Sequence, residues 1–263
     1  MSKKIKLFTV VGTRPEIIRL SRVLAALDSS DAIEHIIIHT GQNYDYELNE
    51  IFFNDLTIRK PDYFLEAAGH NSAVTIGNIL IKIDVLLEDL KPDAILILGD
   101  TNSALAGIIA KRKGIPVYHL EAGNRSFDQN VPEEINRRIV DHFADFNLAY
   151  TNNAKDNLLR EGVHPRNIAV TGSPLCEVIS HFSGEINSSG ILKELKLKSG
   201  NYFVISAHRQ ENVDSTERLA TLLKSLEALH KEYGVPILVS THPRTKLRLE
   251  KLGASGYEGI VFH

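Results

Sequence analysis

Residues 5–27, IKLFTVVGTRPEIIRLSRVLAAL, decide the fold because they join two different hydrophobic periods through a glycine turn. The run Ile5–Val11 is β-prone, Gly12 and Thr13 turn the chain, and Pro15 stands where the first turn of a helix tolerates proline. Apolar residues then recur at helical spacing and form one stripe that can pack against a sheet. They are Ile17, Leu20, Val23, Leu24 and Leu27. The stretch predicts a strand, a turn and a helix in succession.

The same alternation of strand and helix recurs along the chain. The run Ala94–Leu98 is continuously apolar, as in strands that are buried on both faces of a parallel sheet. Strands that alternate with helices predict right-handed βαβ units and a mostly parallel sheet. The predicted strands are 5–11, 36–39, 94–98, 116–120, 147–150, 168–171, 202–206, 236–240 and 259–262, and the further predicted helices are 73–90, 104–113, 133–144 and 216–233.

The predicted fold class is therefore α/β, with two Rossmann-like domains and parallel sheets. We place the N-terminal domain at residues 1–173 and a partial C-terminal domain at residues 174–263. The polar segment 183–199 is interpreted as a linker. Because a doubly wound sheet usually has about five or six strands, we expect the second domain to be incomplete.

The composition of 43% hydrophobic and 24% charged residues is that of an ordinary soluble protein. The net charge of −3 disfavours nucleic acid as a partner. A single cysteine, Cys176, excludes an intrachain disulfide and a cysteine-based zinc site. No apolar run is long enough for a signal-peptide core or a membrane span. We therefore expect a cytoplasmic protein with no membrane partner.

Six polar clusters share one position, the loop just after a predicted strand. Loops after parallel strands lie at one edge of the sheet, where open α/β sheets bind ligands. We therefore expect the six loops to line one cleft between two half-sheets. They comprise residues 12–16, 40–42, 99–101, 121–123, 208–209 and 242–244.

The stretch 119–137, HLEAGNRSFDQNVPEEINR, is rich in ionisable groups behind a short apolar strand. Together with Asp100, its residues Glu121 and Glu133 supply carboxylates for acid–base chemistry or for stabilising a developing cation. Loop shaping and salt bridges explain its other charged residues as well as substrate contact does. Those residues are Arg125, Asp128 and Arg137.

Arg14, His208 and Arg209 suit an anionic group such as a diphosphate, which binds cationic side chains and helix N-termini. No G-x-G-x-x-G fingerprint or P-loop occurs in the sequence, so a tightly bound nicotinamide cofactor is not predicted. Asp100, His208 and other acidic and histidine residues lack any known metal-ligand spacing, so no metal is predicted either.

Eight motifs occur in one order along almost the whole chain. They are VVGTRPE (10–16), HTGQN (39–43), ILGDTNS (97–103), HLEAGNRS (119–126), PEEINRR (132–138), TGSP (171–174), SAHRQEN (206–212) and THPR (241–244). In the order and spacing of these motifs, the chain resembles the non-hydrolysing UDP-N-acetylglucosamine 2-epimerase family. The resemblance implies the two-Rossmann-domain fold called GT-B and a UDP-sugar substrate, with no cofactor.

The reaction that the resemblance implies is reversible inversion at C2 of a UDP-linked 2-acetamido sugar. UDP leaves by anti elimination to give a 2-acetamidoglucal and then re-adds in a syn sense on the other face. As the C1–O bond breaks, oxocarbenium character at C1 acidifies C2–H, and carboxylates accept the proton. The implied catalytic residues are Asp100, Glu121, Glu133 and His208. The expected substrate-binding residues are Arg14, Arg19, Gln42, Arg125, Arg137, Arg209 and His242.

The sequence departs from the family pattern in three places. Arg19 stands where many members have a lysine, which keeps the charge but changes the donor geometry. The segment 121–137, with the insert 127–130, is similar to the branch that epimerises a UDP-2-acetamido-2,6-dideoxy-hexose for N-acetyl-L-fucosamine precursors. The substrate's C6 is therefore either hydroxymethyl or methyl. The family's C-terminal part would follow His263, so we expect weak UDP binding and poor turnover.

Two other classes of function compete with this interpretation. A glycosyltransferase of the same architecture would use the cleft to pass a sugar to an acceptor. An inactive remnant or interaction protein would keep the fold without turnover. The resemblance also implies a possible homodimer and a role in supplying surface polysaccharide precursors.

Overall fold

Seven parallel strands form the sheet of the first of two compact units, Met1–Phe182 and Ser183–His263. The computed structural model describes residues 3–42, 53–206, 215–241 and 258–263. The strands of the first unit are β1 Ile5–Val11, β2 Ile33–His39, β3 Tyr63–Phe64, β4 Ala94–Leu98, β5 Val117–Ala122, β6 Phe146–Ala149 and β7 Ile168–Val170. They lie in the order β3-β2-β1-β4-β5-β6-β7 with parallel pairing throughout. The predicted α/β class with a parallel sheet is confirmed.

Helices cover both faces of this sheet. They are α1 Arg14–Asp28, α2 Ser72–Leu90, α3 Ala106–Arg112, α4 Pro132–Phe143, α5 Asn152–Arg160 and α6 Leu175–His181. Successive residues of β4 point to opposite faces. Ile95 and Ile97 therefore pack in the core beneath α2 and α3, whereas Leu96 and Leu98 pack in the core beneath α1. All five residues of β4 are buried, as its continuous apolar run predicts.

Strand addition changes direction at β1, which pairs with β2 on one side and β4 on the other. Next to such a switch point, open α/β sheets have a ligand-binding crevice outside the carboxyl ends of the strands. The loops after β2, β1, β4 and β5 follow four neighbouring strands of the sheet. Four of the six predicted polar clusters therefore lie along one edge of the first unit.

The second unit contains three parallel strands and a long helix. The strands β8 Phe203–Ser206, β9 Ile237–Ser240 and β10 Ile260–Phe262 lie in the order β10-β9-β8. Its small core contains Leu226 of the helix Thr216–Tyr233 together with Ile237, Val239 and Ile260 of the sheet. The predicted strands and helix of this segment are confirmed.

The structure differs from the prediction where short helices lack an apolar stripe. The segment 183–199, interpreted as a linker, contains α7 Ser183–Ser188 and α8 Ile191–Glu194, neither of which has a buried residue. The next helix in the element order, Thr216–Tyr233, is labelled α9. α5 was not predicted, although Thr151 caps it by accepting a hydrogen bond from Ala154 N at 3.1 Å. No helix in the described ranges is long and apolar enough to cross a membrane.

Residues 174–182 pack with the first unit. In α6, His181 Nε2 lies 2.8 Å from Arg22 Nη1 of α1, and the Arg22 guanidinium lies 5.2 Å from the centre of the Phe182 ring. The division between the units therefore falls after Phe182. The boundary predicted after residue 173 concerns the two Rossmann-like domains, not these compact units, and it stays a prediction.

Candidate active site

Asp100 lies directly after β4 and faces the side chain of Arg137 on α4. Arg137 Nη2 is 2.5 Å from Asp100 Oδ2. Burial raises the pKa of Asp100, the Arg137 guanidinium opposes that rise, and the nearby Glu133 carboxylate adds to it. Three of the expected site residues, Asp100, Glu133 and Arg137, are therefore close enough to influence one another electrostatically.

Glu121 holds a backbone conformation that non-glycine residues rarely adopt, with φ at 68°. The register of β5 against β6 shifts between Leu120 and Ala122, so Glu121 occupies a β-bulge. Its carboxylate forms an ion pair with Arg19 of α1 and accepts a hydrogen bond from Asn124 Nδ2 at 3.3 Å. The bulge thus turns the carboxylate of a strand residue toward α1.

The Glu121 carboxylate also lies beside the loop that carries Asp100. Glu121 Oε2 is 3.9 Å from the point where a Cβ on Gly99 would stand. Gly99 has a φ of 67°, a left-handed conformation that glycine adopts without strain. The ends of β4 and β5 therefore bring the two predicted catalytic carboxyl groups, Asp100 and Glu121, to neighbouring positions.

Glu133 and Glu134 are adjacent in the first turn of α4 but have opposite environments. Glu133 is exposed, whereas the Glu134 side chain is 1% exposed. Glu134 accepts hydrogen bonds from Ser126 N at 3.0 Å and from Arg138 Nε at 3.1 Å, and Arg137 Nη1 lies 3.3 Å from it. The sequence analysis did not single out Glu134, although the acidic pair in PEEINRR indicated that one of the two would turn inward.

Arg125 was expected to bind substrate, but the structure places its guanidinium inside the first unit. Its side chain is 0% exposed and lies 2.7 Å from Asp141 Oδ2 and 2.5 Å from Glu161 Oε2. The same guanidinium donates to the carbonyl of Asn124 at 2.6 Å. The Arg125 guanidinium therefore donates to protein groups, and its position indicates that it supports the loop after β5 from the interior of the first unit.

His119 and Asp141 lie beneath the same loop and are fully buried. His119 Nε2 is 2.8 Å from the carbonyl oxygen of Gly99, and the Gly123 amide donates to Asp141 at 3.2 Å. His119 Nδ1 is 2.9 Å from Asp141 Oδ1, although this contact lacks hydrogen-bond alignment. The side chains of His119 and Asp141 therefore support the loop after β5 from the interior of the first unit.

Glu16 joins two of the strand-end loops, a role that the sequence analysis did not assign. It accepts hydrogen bonds from Gly12 N at 2.9 Å and Thr13 N at 2.7 Å, which precede α1. It also accepts from Thr101 Oγ1 at 2.8 Å, in the loop after β4. Burial raises its pKa to about 7, and the hydrogen bonds from Thr101, Thr13 and Gly12 oppose the rise.

Gln42 is held by a short chain of hydroxyl groups. Ser103 Oγ donates to Gln42 Oε1 at 3.2 Å and lies 2.7 Å from Thr40 Oγ1. Gly12 packs against this pair so closely that a Cβ there would stand 2.0 Å from Ser103 Oγ and 2.2 Å from Thr40 Oγ1. The loops after β1, β2 and β4 are therefore in direct contact.

Arg14 is the first residue of α1 and is exposed at the carboxyl edge of the sheet. The remaining predicted site residues, His208, Arg209 and His242, lie outside the described residues. Among the described residues, no group of three or more His, Cys, Asp or Glu side chains could hold a metal ion. The site described by the structure is thus a set of carboxylates and arginines at one edge of a parallel sheet.

Comparison with known proteins identifies one family. The family model for UDP-N-acetylglucosamine 2-epimerase matches residues 25–262. The chain is similar to the UDP-N-acetylglucosamine 2-epimerase of Rickettsia bellii, with 49% identity and a TM-score of 0.89 over 99% of this chain and 68% of that one. The high TM-score confirms the fold class expected from the motifs.

Two further proteins are similar over nearly the whole chain. The UDP-GlcNAc 2-epimerase of Methanocaldococcus jannaschii, solved in complex with UDP-GlcNAc and UDP, is 34% identical with a TM-score of 0.88, covering 98% of this chain and 73% of that one. The UDP-2,3-diacetamido-2,3-dideoxy-D-glucuronate 2-epimerase of Pseudomonas aeruginosa is 37% identical over 253 residues, covering 94% of this chain and 70% of its own. The names of these proteins differ in the sugar but share the 2-epimerase reaction.

Proposed function

This chain belongs to the UDP-N-acetylglucosamine 2-epimerase family. From that premise we propose that Asp100, Glu121 and Glu133 together move the C2 proton of its sugar and stabilise the cationic character that develops at C1. The family relationship makes the chain a UDP-sugar 2-epimerase, which is an isomerase. The observation that carries the assignment of residues is that the Glu133 carboxylate acts electrostatically on Asp100, while Glu121 Oε2 lies 3.9 Å from the Cβ position of Gly99, the residue before Asp100.

The proposed chemistry follows from where charge develops. One carboxylate takes the C2 proton, the C2–H electron pair forms a C1–C2 double bond, and the C1–O pair departs with UDP. Return of a proton to the other face of C2 and attack of a UDP oxygen at C1 reverse these bond changes. Burial raises the pKa of Asp100 and so brings that pKa closer to neutral pH. A carboxyl group whose pKa lies near the working pH can both accept and return a proton.

Glu121 and the arginines have complementary proposed roles. Negative charge on Glu121, beside Gly99, stabilises the cationic character that develops at C1. Arg14 and Arg19 lie at the start and in the second turn of α1, where cationic side chains and a helix N-terminus favour a diphosphate. The family resemblance implies that His208 stabilises the departing diphosphate; we propose further that Arg209 binds an anionic group of the substrate and that His242 is a substrate-binding residue.

The test is an exchange experiment with the unmodified chain. UDP-N-acetylglucosamine is incubated in D2O without any acceptor, and proton NMR follows the C2 signal and the appearance of the C2 epimer. The proposal predicts deuterium at C2 in both epimers, because the abstracted proton exchanges with solvent before it returns. A glycosyltransferase would show no exchange and would form product only when an acceptor is added.

The substituent at C6 of the sugar is a second part of the proposal. We propose a UDP-N-acetylglucosamine-type substrate, with a UDP-2-acetamido-2,6-dideoxy-hexose as the alternative that the 121–137 segment supports. The P. aeruginosa relative is named for a C6 carboxylate substrate, so members of the family differ at this position. A comparison of kcat/KM for hydroxymethyl and methyl sugars decides between the two alternatives.

We further propose a homodimer, supported by exposed apolar side chains on α2 and α4. Ile81 and Val85 of α2 are 68% and 54% exposed, and Ile135 and Ile139 of α4 are also exposed. Each pair is spaced by four residues and so shares one helix face. Light scattering of the wild type and of Ile81→Lys tests this, since a charge in an apolar interface weakens association.

The cellular context is likewise proposed. A reducing, cytoplasmic location fits the single exposed free cysteine, Cys176. Supply of precursors for surface polysaccharide is the proposed use of the product.

A further inference from the structure

Glu16 has contacts that an ordinary helix-capping glutamate does not need. A glutamate three residues after the N-cap commonly accepts a hydrogen bond from the N-cap amide, as Glu16 does from Thr13 N at 2.7 Å. Such a residue usually lies at the protein surface, but Glu16 is only 2% exposed. Capping alone therefore does not explain the position of this carboxylate.

The additional contact reaches a different strand. Thr101 Oγ1, 85 residues further along the chain, donates to Glu16 Oε1 at 2.8 Å. The other carboxylate oxygen accepts from Gly12 N, Thr13 N and Thr13 Oγ1 at 2.7 to 2.9 Å. One carboxyl group thus holds the turn after β1 with one oxygen and the loop after β4 with the other.

These two loops carry different parts of the proposed machinery. The turn after β1 leads into Arg14, which is proposed to bind the diphosphate, whereas Thr101 directly follows Asp100, which is proposed to move the proton. Asp100 is held on its other side by Arg137 of α4. The distance between leaving group and base therefore depends on what connects the two loops.

We propose that Glu16 is a positioning residue for the epimerase reaction. Through its hydrogen bond from Thr101, Glu16 holds Asp100 at a fixed distance from the bound diphosphate. This inference rests on the proposed function. Loss of the hydrogen bond leaves both loops present but changes their relative placement. A displacement of about 1 Å at a reacting group lowers a rate by up to about 100-fold.

The proposal predicts an effect on turnover that differs from an effect on substrate binding. The diphosphate turn is built mainly by the contacts of Glu16 with Gly12 and Thr13, and these do not involve Thr101. Removal of the Thr101 hydroxyl should therefore lower kcat by at least about tenfold while KM changes by less than about threefold. Thr101→Ser, which keeps the hydroxyl, should retain most of the wild-type kcat.

The experiment uses this chain and three variants, Thr101→Val, Thr101→Ser and Glu16→Ala, in the C2 exchange assay. Thr101 Oγ1 also accepts from Ser103 N at 3.2 Å, so Thr101→Val alone does not isolate the contact with Glu16. The double variant Glu16→Ala/Thr101→Val resolves this, because removing both partners of one contact is not additive. Circular dichroism and thermal melting show whether each variant is folded, and kcat is expressed per folded protein.

The expected result is a large loss of kcat in Thr101→Val, recovery in Thr101→Ser, and a double variant little worse than the worse single one. The proposal is overturned if Thr101→Val keeps kcat within twofold of the wild type, if serine does not restore turnover, or if the two losses multiply. If Glu16→Ala does not fold, the valine and serine variants alone decide the outcome. Absence of C2 exchange in the wild type would instead contradict the proposed function itself.

Discussion

Glu121 occupies a left-handed backbone conformation, which costs a non-glycine residue about 1–3 kcal/mol and is found mostly at functional sites. We predict that Glu121→Gln and Glu133→Gln each abolish C2 exchange. Each change removes a negative carboxylate from the neighbourhood of C1, the sugar carbon that becomes cationic. Neither variant should lose thermal stability by more than a few degrees. Glu88→Gln, which changes an exposed carboxylate on α2, is the matched control and should exchange as the wild type does.

Gly12 is required for its lack of a side chain. We predict that Gly12→Ala lowers stability by about 1–3 kcal/mol, because a Cβ would overlap the Thr40 and Ser103 hydroxyl oxygens. Urea unfolding measures the loss. Gly77 of α2 provides the control, because it has open space around it and a helical backbone. Gly114 is unsuitable, because its φ of 75° would strain any side chain. Gly77→Ala should leave stability unchanged or improve it, and equal losses in the two variants would contradict the steric argument.

Glu16 should make stability depend on pH in a direction that is unusual for a carboxyl group. Its pKa is about 7 in the folded protein, against the ordinary glutamate value of 4.5 that applies to the unfolded chain. The folded state therefore binds the proton more tightly, and the stabilisation is complete below pH 4.5 and is lost as the pH rises through 7. Relative to Glu16→Gln, the free energy of unfolding of the wild type should fall by about 3 kcal/mol over this range.

Urea unfolding at pH 5, 6, 7 and 8 checks this dependence. The comparison with Glu16→Gln cancels the titration of groups that both proteins share. A wild type whose stability relative to Glu16→Gln stays constant, or rises with pH, would show that the hydrogen bonds to Glu16 outweigh its burial.

Among elements, the loop between β5 and α4 has a buried ionic support. Arg125 and Asp141 both have side chains with 0% exposure. We predict that Arg125→Met costs about 3–5 kcal/mol of stability, because it leaves the Asp141 carboxylate buried without its cation. Lys3→Gln is the control, since it breaks an exposed ion pair with Asp93, and such pairs contribute little to stability. A loss in Arg125→Met no larger than in this control would contradict the structural role of the Arg125–Asp141 pair.

At the scale of the whole molecule, each of the two units has its own core. The two cores on the faces of the seven-stranded sheet lie within the first unit, and the small core around Leu226 and Ile237 lies within the second. We therefore predict that a fragment of residues 1–182 folds alone with a cooperative thermal transition. Circular dichroism and dispersed NMR amide signals measure this, and a fragment that lacks both would show that the first unit depends on the second.

Much of the fold could be predicted from hydrophobic periodicity. The apolar run of β4 and the stripe of α1 were placed correctly because each buries a face whose spacing is visible in the sequence. The gathering of four polar loops at one edge of the sheet was predictable, since parallel strands bring their carboxyl ends to that edge. The helices α7 and α8 could not be predicted in this way, because they have no buried face.

The roles of individual charged residues were harder to predict from the sequence. Glu133 and Glu134 are adjacent in sequence, yet a rotation of about 100° per residue turns one outward and the other into the protein. Arg125 was grouped with the substrate, but its partners Asp141 and Glu161 lie on α4 and just after α5. Spacing along the chain contains no information about such partners when they come from different elements.

The sequence by itself determined the α/β class, the parallel sheet, the position of the polar loops at the strand ends and the family of the chain. These depend on local periods and on motifs whose residues are near one another along the chain. The tertiary structure alone decided that Arg125 is buried, that Arg137 faces Asp100, and that Glu16 reaches Thr101. A buried charge is stable only where partners from distant segments surround it, and packing brings those segments together.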